Sequence, residues 1–161
     1  MAVATYDDIL QELETFGSRA PQGEELMRRV VARLAKIPHF HWVGFYMIEP
    51  GRAGEADKML VLGPFLGADT PHQRIPLNQG ICGAAASRGE TVVVDDVQSD
   101  PRYLACSIET KSEIVAPIHV HGEVVGELDI DSHLPAAFGP AERALVERCA
   151  ELVGEFLERR G

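Results

Sequence analysis

The sequence predicts an α+β domain, an antiparallel sheet flanked by N- and C-terminal helices, with all its helices segregated to one face. Three observations lead there. The hydrophobic patterns follow the order helix, helix, strand, strand, helix, strand, strand, strand, helix. Neighbouring strand-like runs are joined by Gly- and Pro-containing turns, which suits antiparallel pairing. The chain has 161 residues, 45% of them hydrophobic, enough for one core without metal or disulfide staples. One domain over 1–161 is therefore expected.

Each element has its own signal. Ile9, Leu10, Leu13 and Phe16 share one helical face over 5–19, and Thr5 with Asp8 forms a capping pair. A break at Gly17–Gly23 precedes a second helix, striped by Leu26, Val30 and Leu34 and ended before Pro38. Aromatic and branched residues over Phe40–Ile48 predict a strand, and a turn over Glu49–Asp57 leads to a second strand over Met59–Leu62. Residues 67–79 read as a loop around a short extended piece at Arg74–Pro76, opening into a small-residue helix over Gly80–Ser87. A strand over Thr91–Val94 is followed by the polar stretch Asp95–Lys111. That length without a period points to a functional role or a hidden helical turn. Strands over Ile114–Val120 and Glu123–Ile130 come next. The closing helix starts after Gly139-Pro140 and carries Leu145, Cys149, Leu152, Val153 and Phe156 on one face.

Composition excludes several classes. A formal net charge of −10 repels phosphate backbones and anionic lipid, so neither nucleic acid nor a membrane surface is an expected partner. No apolar run approaches the roughly 18 residues of a membrane span, and the first residues lack a basic leader, so a cytoplasmic location is expected. The three cysteines suit a reducing compartment better than a disulfide framework, and their spacing supports no zinc site; no metal or other cofactor is expected.

Two groups could carry chemistry. Cys82, at the start of the small-residue helix, is either a thiolate stabilised by backbone N–H groups or a small buried apolar residue. Cys106 lies in a polar stretch with no core-facing period, whereas Cys149 falls on the apolar stripe of the last helix and belongs to the core. The second group is acidic. Glu127, Asp129 and Asp131 alternate on one strand, with Leu128 and Ile130 on the opposite face, and Glu113 begins the strand before. They make either a solvated sheet face or an acidic pocket suited to an ammonium group. Hairpin register decides between these. A three-residue loop, Val120-His121-Gly122 with Gly122 at positive φ, pairs Glu113 with Asp129; a two-residue His121-Gly122 turn pairs Glu113 with Ile130 and scatters the acids.

Trp42-Val43-Gly44-Phe45-Tyr46, Leu62-Gly63-Pro64-Phe65, Arg74-Ile75-Pro76, Gly80-Ile81-Cys82-Gly83, Ser112-Glu113-Ile114-Val115 and Gly126-Glu127-Leu128-Asp129-Ile130-Asp131-Ser132 occur in that order. Together they resemble the free methionine-R-sulfoxide reductases, a family with a GAF-domain fold. The resemblance runs from about Trp42 to Ser132. It implies thioredoxin-dependent reduction of free L-methionine-R-sulfoxide, with Cys106 as nucleophile and Cys82 as resolving thiol. It also implies substrate held by Glu113, Asp129 and Asp131 in a pocket lined by Trp42 and Tyr46, and a homodimer. One departure is that the loop Thr70-Pro71-His72-Gln73 lacks the further cysteine that well-known members carry before the Arg-Ile-Pro element, leaving Cys82 as the resolving thiol. The rival reading is a small-ligand-binding or sensory domain without catalysis. A phosphate ligand would want basic residues, and Arg74 alone is near the expected lining.

Overall fold

The computed structural model describes residues 4–104 and 108–160. Cys106, the expected nucleophile, lies outside the described residues. The elements are α1 (Tyr6–Gly17), α2 (Gly23–Leu34), β1 (Trp42–Pro50), β2 (Lys58–Leu66), β3 (Arg74–Pro76), α3 (Gly80–Arg88), β4 (Val92–Val94), β5 (Ser112–Val120), β6 (Glu123–Ser132) and α4 (Pro140–Arg160). The expected order holds, and a 3₁₀ turn at Val97–Ser99 interrupts the long polar stretch, as its length suggests.

All strand pairs are antiparallel, in one six-stranded sheet ordered β3-β2-β1-β6-β5-β4. The long strands β2, β1, β6 and β5, of nine or ten residues, occupy its middle, and the three-residue β3 and β4 form its edges. Pro117 on β5 lies just past the last β4 pair, Val92 with Val115, where the missing N–H breaks no ladder.

Helix boundaries follow local chemistry. Thr5 and Asp8 form the expected capping box, with reciprocal bonds of 3.1 and 3.0 Å. Pro140 occupies the first position of α4, and the Gly139 N–H donates to Glu142 Oε1 at 3.0 Å.

One face of the sheet buries Val43, Phe45, Ile114, Ile118, Leu128 and Ile130 against α1, α2 and α4. Each such side chain contributes about 1.5–3 kcal/mol by leaving water. Cys149, fully buried on α4, belongs to this core as expected. The opposite face carries Trp42, Tyr46 and Val115 beneath α3, whose Ile81, Cys82 and Ala85 pack onto them. The helices therefore divide between the two faces, correcting the expectation that they share one. The small residues of α3 let a helix lie close over a face that also holds polar side chains.

The β5–β6 hairpin corrects a second expectation. Val120 pairs directly with Glu123, so the turn is the two-residue His121-Gly122 form, with φ of 51° and 81°. Both residues have the positive φ of a type I′ turn, whose twist matches the flanking strands; Gly122 takes its position without a Cβ penalty. The expected scattering of acids does not follow, because a bulge intervenes. His119 pairs with Val124 but Ile118 with Gly126, leaving Val125 as the extra residue. The slip puts Ile114 opposite Ile130 and Ala116 opposite Leu128, which keeps those side chains on the core face. A lost ladder hydrogen bond costs about 1 kcal/mol, less than exposing even one of those isoleucines. Glu113 consequently sits opposite Asp131.

Candidate functional site

On the face beneath α3, β1, β5 and β6 bring the expected residues together. Trp42 pairs with Asp131, Gly44 with Asp129 and Tyr46 with Glu127, while Glu113 pairs with Asp131 from the other side. Period-two alternation thus delivers Glu113, Glu127, Asp129 and Asp131 to one surface. α3 lowers Cys82 onto it, and the Cys82 thiol donates to Asp129 Oδ2 at 3.4 Å.

An aromatic wall closes one side. The Trp42 ring stacks with Phe65 at 5.6 Å between centroids and with Tyr46 at 6.2 Å. Its Nε1–H donates to the Ala68 carbonyl at 3.0 Å, and the Tyr46 hydroxyl donates to the His72 carbonyl at 2.7 Å. Gly44 makes this wall possible. A Cβ there would lie 2.4 Å from Trp42 Cη2 and 2.8 Å from Phe65 Cβ, so any side chain would push the indole off the strand. His72 borders the same cavity as Cys82, which places the departure from the family pattern at the pocket wall.

Two cavities flank the acids. One of about 90 Å³ is lined by Trp42, Asp131, Thr110, His41 and His133 among others. The other, of about 20 Å³, is lined by Tyr46, Cys82, Leu104, Glu113 and Asp129 among others. No Lys or Arg lines either cavity among the described residues. Arg74 is held by Glu55 through paired bonds of 2.8 Å, which takes from the phosphate-sensor reading its one expected base. Leu104 reaches over Gly80, so the described part of the 95–111 stretch folds back onto the start of α3.

The electrostatics follow from burial without a counter-cation. Glu113, Asp129 and Asp131 are each 5% exposed, and Glu127 is fully buried. Asp129 Oδ1, Asp131 Oδ1 and both Glu127 oxygens have no hydrogen-bond partner among the described residues. Burial, reinforced by the neighbouring Asp129 and Asp131 charges, pushes the Glu113 carboxyl well above its ordinary range. Burial and then Asp129 do the same to Glu127 and Asp131, and burial raises Asp129. Charge that cannot be solvated or paired is disfavoured, so burial biases these carboxyls towards their protonated forms.

Of the two readings of Cys82, the structure takes the buried one. Burial first, then Asp129, Glu127 and Glu113, push its thiol well above the ordinary cysteine value. The partial charge of one helix end does not offset that field.

The pocket, its aromatic wall and its acids sit on a fold already matched elsewhere. The GAF domain family model matches residues 22–157. A solved type II free methionine-R-sulfoxide reductase from Thermoplasma acidophilum is 36% identical, with a TM-score of 0.77, 91% of this chain covered and 96% of that one. The chain belongs to the free methionine-R-sulfoxide reductases. Another solved reductase of this family, from Neisseria meningitidis in complex with its substrate, is 30% identical, with a TM-score of 0.87, 99% of this chain covered and 96% of that one. The Saccharomyces cerevisiae free methionine-R-sulfoxide reductase is 38% identical over 116 residues, 71% of this chain and 62% of the yeast protein.

Glu127 is the residue that sequence reasoning undervalued. Its alternation with Asp129 and Asp131 is visible, yet nothing in that pattern distinguishes the most buried acid from its neighbours. His41 and His133 were also missed. Their rings stack at 3.9 Å beside Asp131, a contact between residues far apart in the chain that no local pattern signals. The cysteine spacings pointed away from a metal site, but the fold gathers ligand atoms of Cys82, Glu113 and Asp129 within 4.8 Å of one another.

Proposed function

We propose that the chain reduces free L-methionine-R-sulfoxide to methionine, with Cys106 as nucleophile and Cys82 as resolving thiol. The observation that carries the reading is a buried cluster of Glu113, Asp129 and Asp131 beside the Trp42–Tyr46 wall, with Asp129 Oδ1 and Asp131 Oδ1 unpartnered and no Lys or Arg lining its cavities among the described residues. Such a cluster gains most from a ligand bearing an ammonium group, which a free amino acid carries and a peptide-bound residue does not. The apolar arm of the substrate packs against the aromatic wall.

Sulfoxide reduction needs a nucleophile at sulfur and a proton at the departing oxygen. The Cys106 thiolate attacks the sulfoxide sulfur while a carboxylic acid of the cluster protonates the oxygen. Methionine leaves, and Cys106 carries the oxygen as a sulfenic acid. Cys82 then condenses with it, forming a disulfide and releasing water, and a thioredoxin-like dithiol restores both thiols. The upward push that burial gives these carboxyls favours the protonated acid this step needs. The substrate ammonium offsets the negative field that otherwise opposes a thiolate. The working unit is a single GAF-like domain over 1–161 in a homodimer, in the reducing cytoplasm.

A thioredoxin-coupled assay following NADPH tests this with the R and S epimers of the free sulfoxide. The R epimer is expected to turn over, the S epimer at under a tenth of that rate, and Cys106→Ser not at all. Undiminished turnover by folded Cys106→Ser refutes the assignment.

A further inference from the structure

The proposed reduction uses Cys82, Glu113 and Asp129 in different steps, yet their donor atoms form one compact set. One ligand atom from each lies within 4.8 Å of the other two, and Cys82 Sγ is 3.4 Å from Asp129 Oδ2. Tetrahedral zinc, with sulfur at about 2.3 Å and carboxylate oxygen at about 2.0–2.2 Å, separates neighbouring donors by roughly 3.4–3.6 Å. The thiol–carboxylate edge already has that length, and the other edges, each within 4.8 Å, need contraction of at most about 1.4 Å. The cavity of about 20 Å³ lined by these same residues has room for a single small occupant.

Unpartnered groups point to the same occupant. Asp129 Oδ1 and both Glu127 oxygens are buried and without hydrogen-bond partners among the described residues. Glu127 also adjoins the Cys82 thiol and Asp129. Buried acceptors beside a thiol, with no Lys or Arg lining the cavity among the described residues, are the surroundings a cation relieves. The sulfur donor favours zinc-class metals over magnesium or calcium, which prefer oxygen alone.

We propose that, without substrate, this pocket takes one divalent cation of the zinc class on Cys82, Glu113 and Asp129, and that the cation excludes the substrate. Binding releases the thiol proton and any protons held by the Glu113 and Asp129 carboxyls, forms a metal–sulfur bond and leaves a fourth position for water. The metal-bound form is a reversible off state in which the resolving thiol is masked and the ammonium site is filled. This goes beyond the reductase reading while using its pocket, and it is measured without turnover.

The test titrates the reduced full chain with cobalt(II) under a thiol-free reductant, then displaces the cobalt with zinc. One equivalent is expected, with a sulfur-to-cobalt charge-transfer band in the near ultraviolet. The band is lost in Cys82→Ser and retained in Cys149→Ser and Cys106→Ser. Asp129→Asn, which keeps the thiol, weakens zinc at least tenfold, and circular dichroism checks that each variant is folded. Free methionine, which has the ammonium but no oxygen to transfer, raises the apparent zinc dissociation constant. Absence of the band, its persistence in Cys82→Ser, or zinc affinity unchanged in Asp129→Asn overturns the site. Indifference of zinc binding to methionine overturns the exclusion of substrate. A cobalt–thiolate band in a chain that reduces no sulfoxide sinks the reductase reading alone; turnover without metal binding sinks this proposal alone.

Discussion

Substrate binding is expected to expel a proton, and affinity is therefore expected to rise with pH. In the empty pocket Glu113 and Asp131 hold their protons well above the ordinary carboxyl range and Asp129 is also raised, burial being the first cause for each. An ammonium group placed among them favours the charged form and lowers those values. Protons bound by the free protein but not by the complex make affinity increase as pH rises from the bound-state pKa towards the raised free-state pKa. One cation replaces about one proton, so the slope is about tenfold in affinity, or about 1.4 kcal/mol, per pH unit within that window. The rise ends where the free carboxyls are ionised or the substrate ammonium itself titrates. Calorimetry on Cys106→Ser, which under the proposed mechanism binds without turning over, measures the released proton directly in buffers of different ionisation enthalpy. Asp131→Asn removes a charge that raises Glu113, so it should shift the window to lower pH and weaken binding at least tenfold. No proton release, with affinity flat between pH 6 and 8, would refute the reasoning, because the acids would then be ionised before the ligand arrives.

Other expectations concern single positions. Cys149→Ser should leave kcat within about twofold but lower the midpoint of thermal unfolding, because it puts a hydroxyl into a fully buried apolar face at a cost of about 1–3 kcal/mol. Gly44→Ala, whose methyl would collide with Trp42 and Phe65, should cost about 1–3 kcal/mol and raise KM more than it lowers kcat, as read from denaturation and steady-state kinetics. The raised acids make the folded state bind more protons than the unfolded chain above about pH 4, so stability should fall as pH rises from there towards the folded values. Glu127→Gln removes one such group and should flatten that decline. It should also raise the unfolding midpoint at pH 7, by about 2–4 °C per kcal/mol recovered.

Most elements were legible because their signals are local. The α1 capping box, Pro140 at the start of α4 and the strand-turn-strand alternation each depend on a few neighbouring residues. What failed was nonlocal. The side of the sheet occupied by α3 is decided by what covers Trp42 and Tyr46, and no period within Gly80–Arg88 encodes it. The hairpin offered two simple registers, and the chain uses neither unmodified: the two-residue turn wins on twist, and the Val125 bulge restores the face on strand burial. Glu113, Asp129 and Asp131 meet as the acidic-pocket reading required, through a different pairing from the one expected. The Cys82 environment stayed open between thiolate and buried residue because the helix start is written in sequence, whereas the acids beneath it come from strands β5 and β6.

The central claim is that the buried acids read the free ammonium of the substrate. The most direct measurement compares kcat/KM for free methionine-R-sulfoxide with that for its N-acetyl derivative, which keeps the sulfoxide and carboxylate but cannot carry the positive charge. The account predicts a loss of at least a hundredfold on acetylation, since an amide in place of the cation cannot offset the cost of ionising the buried carboxyls of Glu113, Asp129 and Asp131. Equal kcat/KM for the two substrates would contradict it.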